Sequence, residues 1–310
     1  MRQLVHALKM NIVIAHATAA DAAYFAKALA EHDLETTEGA PASRRENARA
    51  LAVVHGKPTG AETFDLLPNL GLVVTRSTGY DHIDLAAARA RGIAVCNVPE
   101  YGSTTVAEFT FGLMLSLARH IPQAVSRCRE GRFSVEGLMG MDLEGKTLGI
   151  VGLGKIGRSL ARMSEGFSMR VVAHDPYKPD SIPLDDLLAQ SDVVALCCPL
   201  TPETHHLIDA KALARMKPQA MLVNTARGGV VDAQALLDAL DSDRLSGAAL
   251  DVLEDEACPG ELSQRLMRHP KALVTPHLAF DSVEALQRIR ETTAEVLRAF
   301  AAGRIVNAVP

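Results

Sequence analysis

Short apolar runs alternate along the chain with polar turns and with stretches whose apolar residues recur every three or four positions. The runs predict strands at Asn11–Ala15, Ala50–Val54, Leu72–Arg76 and Ile93–Cys96 in the first part of the chain. Beyond a linker-like stretch at 97–102, further runs predict strands at Thr147–Val151, Met169–Ala173, Asp192–Cys197, Ala220–Val223, Ser246–Leu250 and Ala272–Val274. Helices are predicted between them, among others at about 21–31 and 84–91. Strands alternating with helices predict a parallel α/β fold.

Two predicted helices stand apart. Thr105 and Glu108 have the S/T-x-x-E spacing of a capping box, and behind them Val106, Phe109, Leu113, Met114 and Leu117 recur at helical spacing. That helix is apolar enough to be buried between two bodies, or to be an ordinary core helix. Near the other end, Asp281 with Glu284 is read as the cap of a last helix, whose apolar face is Leu286, Ile289, Val296, Leu297 and Phe300.

The most informative stretch is Lys146–Tyr177. A strand runs into Gly152-x-Gly154-x-x-Gly157, and a helix follows on which Ile156, Leu160 and Met163 share one face. A second strand then ends at His174 and Asp175. The first glycine permits a tight turn, the second lets a pyrophosphate approach the backbone, and the third allows close helix–strand packing. The helix N-terminus offers N–H groups and partial positive charge to the phosphates. Asp175 is placed to accept hydrogen bonds from ribose hydroxyls, and its charge would repel a 2′-phosphate. The expected cofactor is NAD. None of the earlier strand–helix turns carries such a glycine pattern.

Composition narrows the field. The 310 residues suffice for two domains, and 48% hydrophobic with 22% charged residues is globular composition. A net charge of −5 argues against nucleic acid or an anionic membrane surface as the main partner. The five cysteines lack C-x-x-C spacing, so reduced thiols in a cytoplasmic protein are expected, with Cys197–Cys198 in the core. No apolar run is long enough to span a membrane, and Lys9 and Asn11 interrupt the apolar residues that follow Arg2, so no secretory leader is expected.

Four later strands run into the polar segments Pro199–Thr204, Asn224–Gly229, Asp251–Glu256 and Thr275–His277. In an open parallel sheet ligands bind outside the carboxyl ends of strands, so all four are candidates to line one crevice. Arg227, beside the small Gly228 and Gly229, can present its fork to a carboxylate. His277 is a candidate general acid/base, and Glu256 a partner that would favour its charged form. Each alone is equally an ion-pair arginine, a surface acid or a structural histidine. Beside a bound nicotinamide they describe hydride transfer to a 2-oxo acid.

Taken together, Val151–Gly157, Pro199–Thr204, Asn224–Asp232, Asp251–Glu256, Thr275–His277 and the early Ser77–Asp84 loop resemble the D-isomer-specific 2-hydroxyacid dehydrogenases over essentially the whole chain. The resemblance implies a doubly wound Rossmann domain at 102–281, which binds NAD, inserted into a flavodoxin-like substrate domain of 1–101 plus 282–310. It implies Arg227, Glu256 and His277 as catalytic residues, and a carboxylate-binding backbone loop at Ser77, Thr78 and Gly79. Lys155, Ile156, Asp175, Pro199, Thr204, Thr225, Ala226, Arg227, Asp251 and His277 would line the cofactor together with the three glycines, with Asp251 near the nicotinamide carboxamide. One departure is visible: the family commonly has proline directly after the catalytic glutamate, where this chain has Ala257. Glu254 is therefore an alternative, and Glu256 is preferred because it keeps its offset from Asp251. Homodimers are usual for the family, with the long helix after Thr105 in the interface.

Tyr101 and Phe280 resemble pocket residues of the D-lactate dehydrogenase branch and imply pyruvate or a modestly larger 2-oxo acid; both are equally hinge-packing aromatics. Formate dehydrogenases pair the histidine with glutamine, and phosphite dehydrogenases carry lysine where Thr78 stands, so neither is expected. Only residues 278–310 follow His277, too few for the regulatory domain of many phosphoglycerate dehydrogenases. Glyoxylate or hydroxypyruvate reduction, a phosphoglycerate dehydrogenase-like activity, and an NAD-sensing corepressor-like role remain as alternatives. No metal is expected: adjacent His205 and His206 on an extended segment should point to opposite sides.

Overall fold

The computed structural model describes residues 9–310; Arg2, considered above for a leader, lies outside them. The chain divides into two compact units, one of the chain up to Tyr101 together with Ser282–Pro310, the other of Gly102–Asp281.

In the first unit five strands form one parallel sheet: β1 (Asn11–Ile14), β2 (Asp33–Thr36), β3 (Ala48–Val53), β4 (Leu72–Thr75) and β5 (Ala94–Cys96), in the order β2-β1-β3-β4-β5. That is the flavodoxin-like order. Helices cover both faces, which is why β1, β3 and β4 read as near-continuous apolar runs. Phe25, Ala294 and Leu297 pack with Ile12 and Ile14 on one face, and Phe64 and Leu67 with Val13 and Leu51 on the other. The edge strand β2, sequence DLET, lies outside the runs that predict strands; its residues are largely exposed and carry no apolar run.

A buried ionic cluster ties this unit together. Asp21 accepts the N–H of Thr18 at the start of the Ala19–Ala28 helix, and lies 3.0 Å from Arg76 Nη1 and 2.8 Å from Arg290 Nε. Arg76 also donates to the carbonyls of Ala15 and His16. Burial alone would push the Asp21 carboxyl up. The Thr18 N–H and the two guanidinium groups outweigh it and hold it at about 2.

The second unit contains β6 (Thr147–Val151), β7 (Arg170–His174), β8 (Val193–Leu196), β9 (Ala220–Asn224), β10 (Leu245–Leu250) and β11 (Ala272–Val274), all parallel, in the order β11-β10-β9-β8-β6-β7. The order reverses between β6 and β8, the position at which doubly wound sheets open a crevice at their carboxyl ends. The Ser103–Ala118 helix buries Ala107, Phe111 and Met114 in the cluster that contains Leu148 and Leu160, so it is a core helix of this unit. Burial pushes the Cys198 thiol up to about 11 and that of Cys96, in the first unit, also to about 11, as suits core thiols rather than nucleophiles.

Two capping expectations are corrected. The long helix begins at Ser103 behind Gly102, with no side-chain cap, so Thr105 and Glu108 lie inside its first turns. Packing of its apolar face, not the polar pattern, sets where it starts. The last helix, Val283–Ala301, is capped by Ser282, whose hydroxyl accepts the Ala285 N–H at 3.1 Å, one residue later than Asp281. Among the described residues no helix is long and apolar enough to cross a membrane.

Candidate active site

The glycine loop leaves β6 at the point where the strand order reverses. Gly152 has φ +98 and donates its N–H to His174 O at 2.7 Å. A Cβ there would come within 2.7 Å of the Cys197–Cys198 backbone, which leaves the neighbouring β8. A side chain at Gly157 would run into the Gly152 carbonyl. Gly154 differs: nothing lies within 4 Å of where its Cβ would be, and it heads the Lys155–Glu165 helix without a side-chain cap. Open space above a helix N-terminus, begun by Lys155 and Ile156, fits a dinucleotide pyrophosphate.

Asp175, just past β7, accepts the N–H of Leu153 at 2.9 Å through Oδ2 and that of Tyr177 at 3.0 Å through Oδ1. The acid is therefore fixed to the glycine loop itself, while each oxygen keeps a lone pair for a ribose hydroxyl. After β8, Thr204 Oγ1 donates to Pro199 O and accepts the Thr201 N–H, both at 2.7 Å, which closes the 199–204 turn.

After β9, the turn carrying Arg227 is built by Asn224. Its buried amide donates to Arg227 O at 2.8 Å and accepts the Ala226 N–H at 3.0 Å. Thr225 pairs its hydroxyl with that of Thr110 on the long helix at 2.7 Å. Arg227 Nη1 donates to Ala226 O at 2.7 Å. Gly228 has a stronger requirement than room for the arginine: the backbone of Leu253 and Glu254 occupies the place of its Cβ.

Asp251, just past β10 and 1% exposed, organises the histidine turn. Its Oδ1 accepts from Thr275 Oγ1 at 2.5 Å and from the Leu278 N–H at 3.0 Å; its Oδ2 accepts the Ala279 N–H at 2.8 Å, and its carbonyl accepts the His277 N–H at 2.8 Å. His277 sits at φ +51, an uncommon conformation for this residue type that these bonds hold in place. Its Nδ1 is 2.8 Å from Glu256 Oε2, and the second Glu256 oxygen accepts the Leu253 N–H at 3.3 Å. Phe280 meets the imidazole edge-on, with ring centroids 6.2 Å apart. Glu254 is engaged elsewhere, so of the two glutamates Glu256 is the one at His277.

In the first unit, Ser77 is buried, pairs its hydroxyl with Thr75 at 2.7 Å and donates to Gly79 O at 2.6 Å. Thr78 Oγ1 donates to Val98 O at 3.1 Å, and Asn97 holds the Thr78 carbonyl at 2.7 Å. These bonds fix the shape of the 77–79 backbone. The Tyr101 carbonyl accepts from Arg288 Nε at 2.7 Å.

The histidine pair departs from expectation. His206 has φ +51, and the rings of His205 and His206 stack with centroids 4.0 Å apart instead of pointing to opposite sides. The extended-backbone rule does not apply where one residue turns left-handed.

The family model described as D-isomer specific 2-hydroxyacid dehydrogenase, NAD binding domain, matches residues 111–279. A glyoxylate reductase of Korarchaeum cryptofilum is 39% identical over 293 residues, covering 89% of this chain and 88% of that protein. Among solved structures, a D-lactate dehydrogenase of Aquifex aeolicus complexed with NAD and lactic acid superposes with TM-score 0.86 at 32% identity, covering 94% of this chain and 96% of that one. A D-2-hydroxyisocaproate dehydrogenase superposes with TM-score 0.86 at 28% identity, covering 97% and 99%.

Proposed function

The chain belongs to the D-isomer-specific 2-hydroxyacid dehydrogenases, NAD-dependent oxidoreductases, and on that premise we propose that Arg227, Glu256 and His277 catalyse the reduction of a small 2-oxo acid at C2 by NADH. The observation that carries this reading is the 2.8 Å bond from His277 Nδ1 to Glu256. It fixes the ring and leaves proton exchange with the substrate oxygen to Nε2.

The Gly152–Gly157 loop and Asp175 would hold NADH, which would supply the hydride. In the reductive direction His277, protonated, gives its Nε2 proton to the 2-oxo oxygen as the alcohol forms; in oxidation the neutral ring takes it back. Glu256 stabilises the imidazolium and keeps it oriented. Arg227 binds the substrate carboxylate and polarises the carbonyl, placing positive charge where negative charge develops. Asp251 holds the His277 turn through the backbone and Thr275. Ser77, Thr78 and Gly79 are the carboxylate-binding backbone in this reading, which their family motif supports. Steady-state kinetics test the assignment: His277→Ala lowers kcat about 10²–10⁴-fold, while Arg227→Ala chiefly raises KM. Full activity in either variant contradicts it.

Tyr101 and Phe280 favour pyruvate or a modestly larger 2-oxo acid. The likeness to a glyoxylate reductase supports a second reading, reduction of glyoxylate or hydroxypyruvate at the same residues. The molecule works as a homodimer in this account. Supporting that, Phe133, Val135 and Met139 in the second unit are 99%, 88% and 92% exposed, in a segment a second copy would cover. A cytoplasmic setting accords with its unpaired cysteines.

A further inference from the structure

Beyond β8 the chain carries two stacked imidazoles on one side of the backbone. His205 is held by its N–H donating to Thr201 O at 2.9 Å, and His206 by its N–H donating to Gly229 O at 2.8 Å. The ring planes are 25° apart. Glu254 reaches them from the loop after β10. Its Oε1 lies 3.2 Å from His205 Nε2, and its Oε2 3.2 Å from His206 Nε2. Gly228, packed against the Leu253–Glu254 backbone, fixes where that side chain starts.

An imidazole beside a carboxylate is ordinary on a protein surface. One carboxylate facing two Nε2 atoms is a convergent donor set, and its three ligand atoms lie within 4.8 Å of one another. Ligand atoms about 2.0–2.1 Å from a tetrahedral zinc ion stand about 3.3–3.4 Å from one another. Each N–O separation has that value within about 0.2 Å, and each runs to a different oxygen of Glu254, so the carboxylate turns both oxygens toward the pair of imidazoles. Both separations are also at the long end for a simple N–H···O bond.

We propose that His205, His206 and Glu254 bind a divalent transition metal ion of the zinc class. The side chains are 49%, 37% and 47% exposed, so water completes the coordination. Two imidazoles and one carboxylate suit zinc, nickel or copper; magnesium and calcium need more oxygen ligands than this site offers. The ion is a clamp on three loops at once: the one after β8, the one after β10, and, through the His206 bond to Gly229, the turn that carries Arg227. Glu254 stands two residues before Glu256, so the clamp also restrains the partner of His277. The site is separate from the hydride chemistry, and its test does not depend on turnover.

Isothermal titration with zinc chloride decides it, on the full chain without added histidines and after chelator treatment. The wild type should bind a zinc equivalent that His205→Ala and Glu254→Gln each lose or weaken about tenfold or more, since even second-shell changes cost about 10–100-fold at metal sites. Zinc should raise the thermal midpoint of the wild type by clearly more than that of either variant at the same zinc concentration. Both replaced side chains are about half exposed, so the variants keep the fold, which circular dichroism verifies. The proposal is overturned by wild-type isotherms in both variants, by no wild-type binding tighter than on the order of 100 μM, or by magnesium binding at this site as tightly as zinc.

Discussion

His277 Nδ1 and Glu256 Oε2 are 2.8 Å apart, although the two residues come from different strand ends and Glu256 lacks the proline that usually follows it in this family. The bond joins the turn beyond β11 to the loop beyond β10, and Asp251 at the base of that loop holds the same turn from below. Position and orientation of the imidazole thus rest on two carboxylates with separate tasks, one on the ring and one on the backbone.

Glu256→Gln keeps a hydrogen-bond acceptor for Nδ1 but removes the charge that favours imidazolium. Reduction of the 2-oxo acid should slow by about tenfold or more, within the range of general acid catalysis. A kcat/KM for reduction equal to that of the wild type would contradict the role given to Glu256.

Asp175 faces the glycine loop with its oxygens bonded to two backbone N–H groups. Replacing it with alanine removes the repulsion of a 2′-phosphate and the partner of the ribose hydroxyls. The ratio of kcat/KM for NADH to that for NADPH should fall by about tenfold or more, as the loss of one charge-assisted bond of roughly 1.5–3 kcal/mol implies. An unchanged ratio would remove Asp175 from cofactor selection.

How much of this was legible beforehand depends on what each residue does. Apolar strands and the glycine loop announce themselves, because burial on both faces and contacts too close for a Cβ leave only a few residue types possible. The 251–256 and 275–277 segments were located by their motifs, but their contacts were not: nothing in the pattern tells that Asp251 is spent on the backbone of 275–279 or that Asn224 builds the Arg227 turn. Strand β2 leaves no trace in the pattern because an exposed edge strand needs no apolar run. The stacking of His205 and His206 is not legible in the sequence because a left-handed φ at a histidine has no signature in the residues around it.

Asp21 supplies a pH dependence of stability. Its carboxyl is held at about 2, against 3.8 ordinarily. A depressed carboxyl contributes stability above its unfolded value and loses it as pH falls through the folded one, so the contribution is full above about pH 4 and gone near pH 2. The gap is worth about 2 kcal/mol. Asp21→Asn should abolish this part of the acid transition and destabilise the protein at neutral pH by about 3–5 kcal/mol, since Arg76 is left buried with its charge uncompensated. Urea unfolding at pH 7 and at pH 2 checks both numbers.

Phe133→Asp places a charge in the segment assigned to the partner copy. Sedimentation should show dimer for the wild type and a shift toward monomer for the variant. A variant as dimeric as the wild type would exclude this segment from the interface.

The central claim is most directly tested by NADH oxidation, followed through the nicotinamide absorbance, with pyruvate, 2-oxobutyrate, phenylpyruvate, glyoxylate and hydroxypyruvate, each repeated with NADPH. Robust NADH-dependent turnover of at least one acid, abolished in His277→Ala, is the predicted result. NADH binding without turnover of any acid would contradict it.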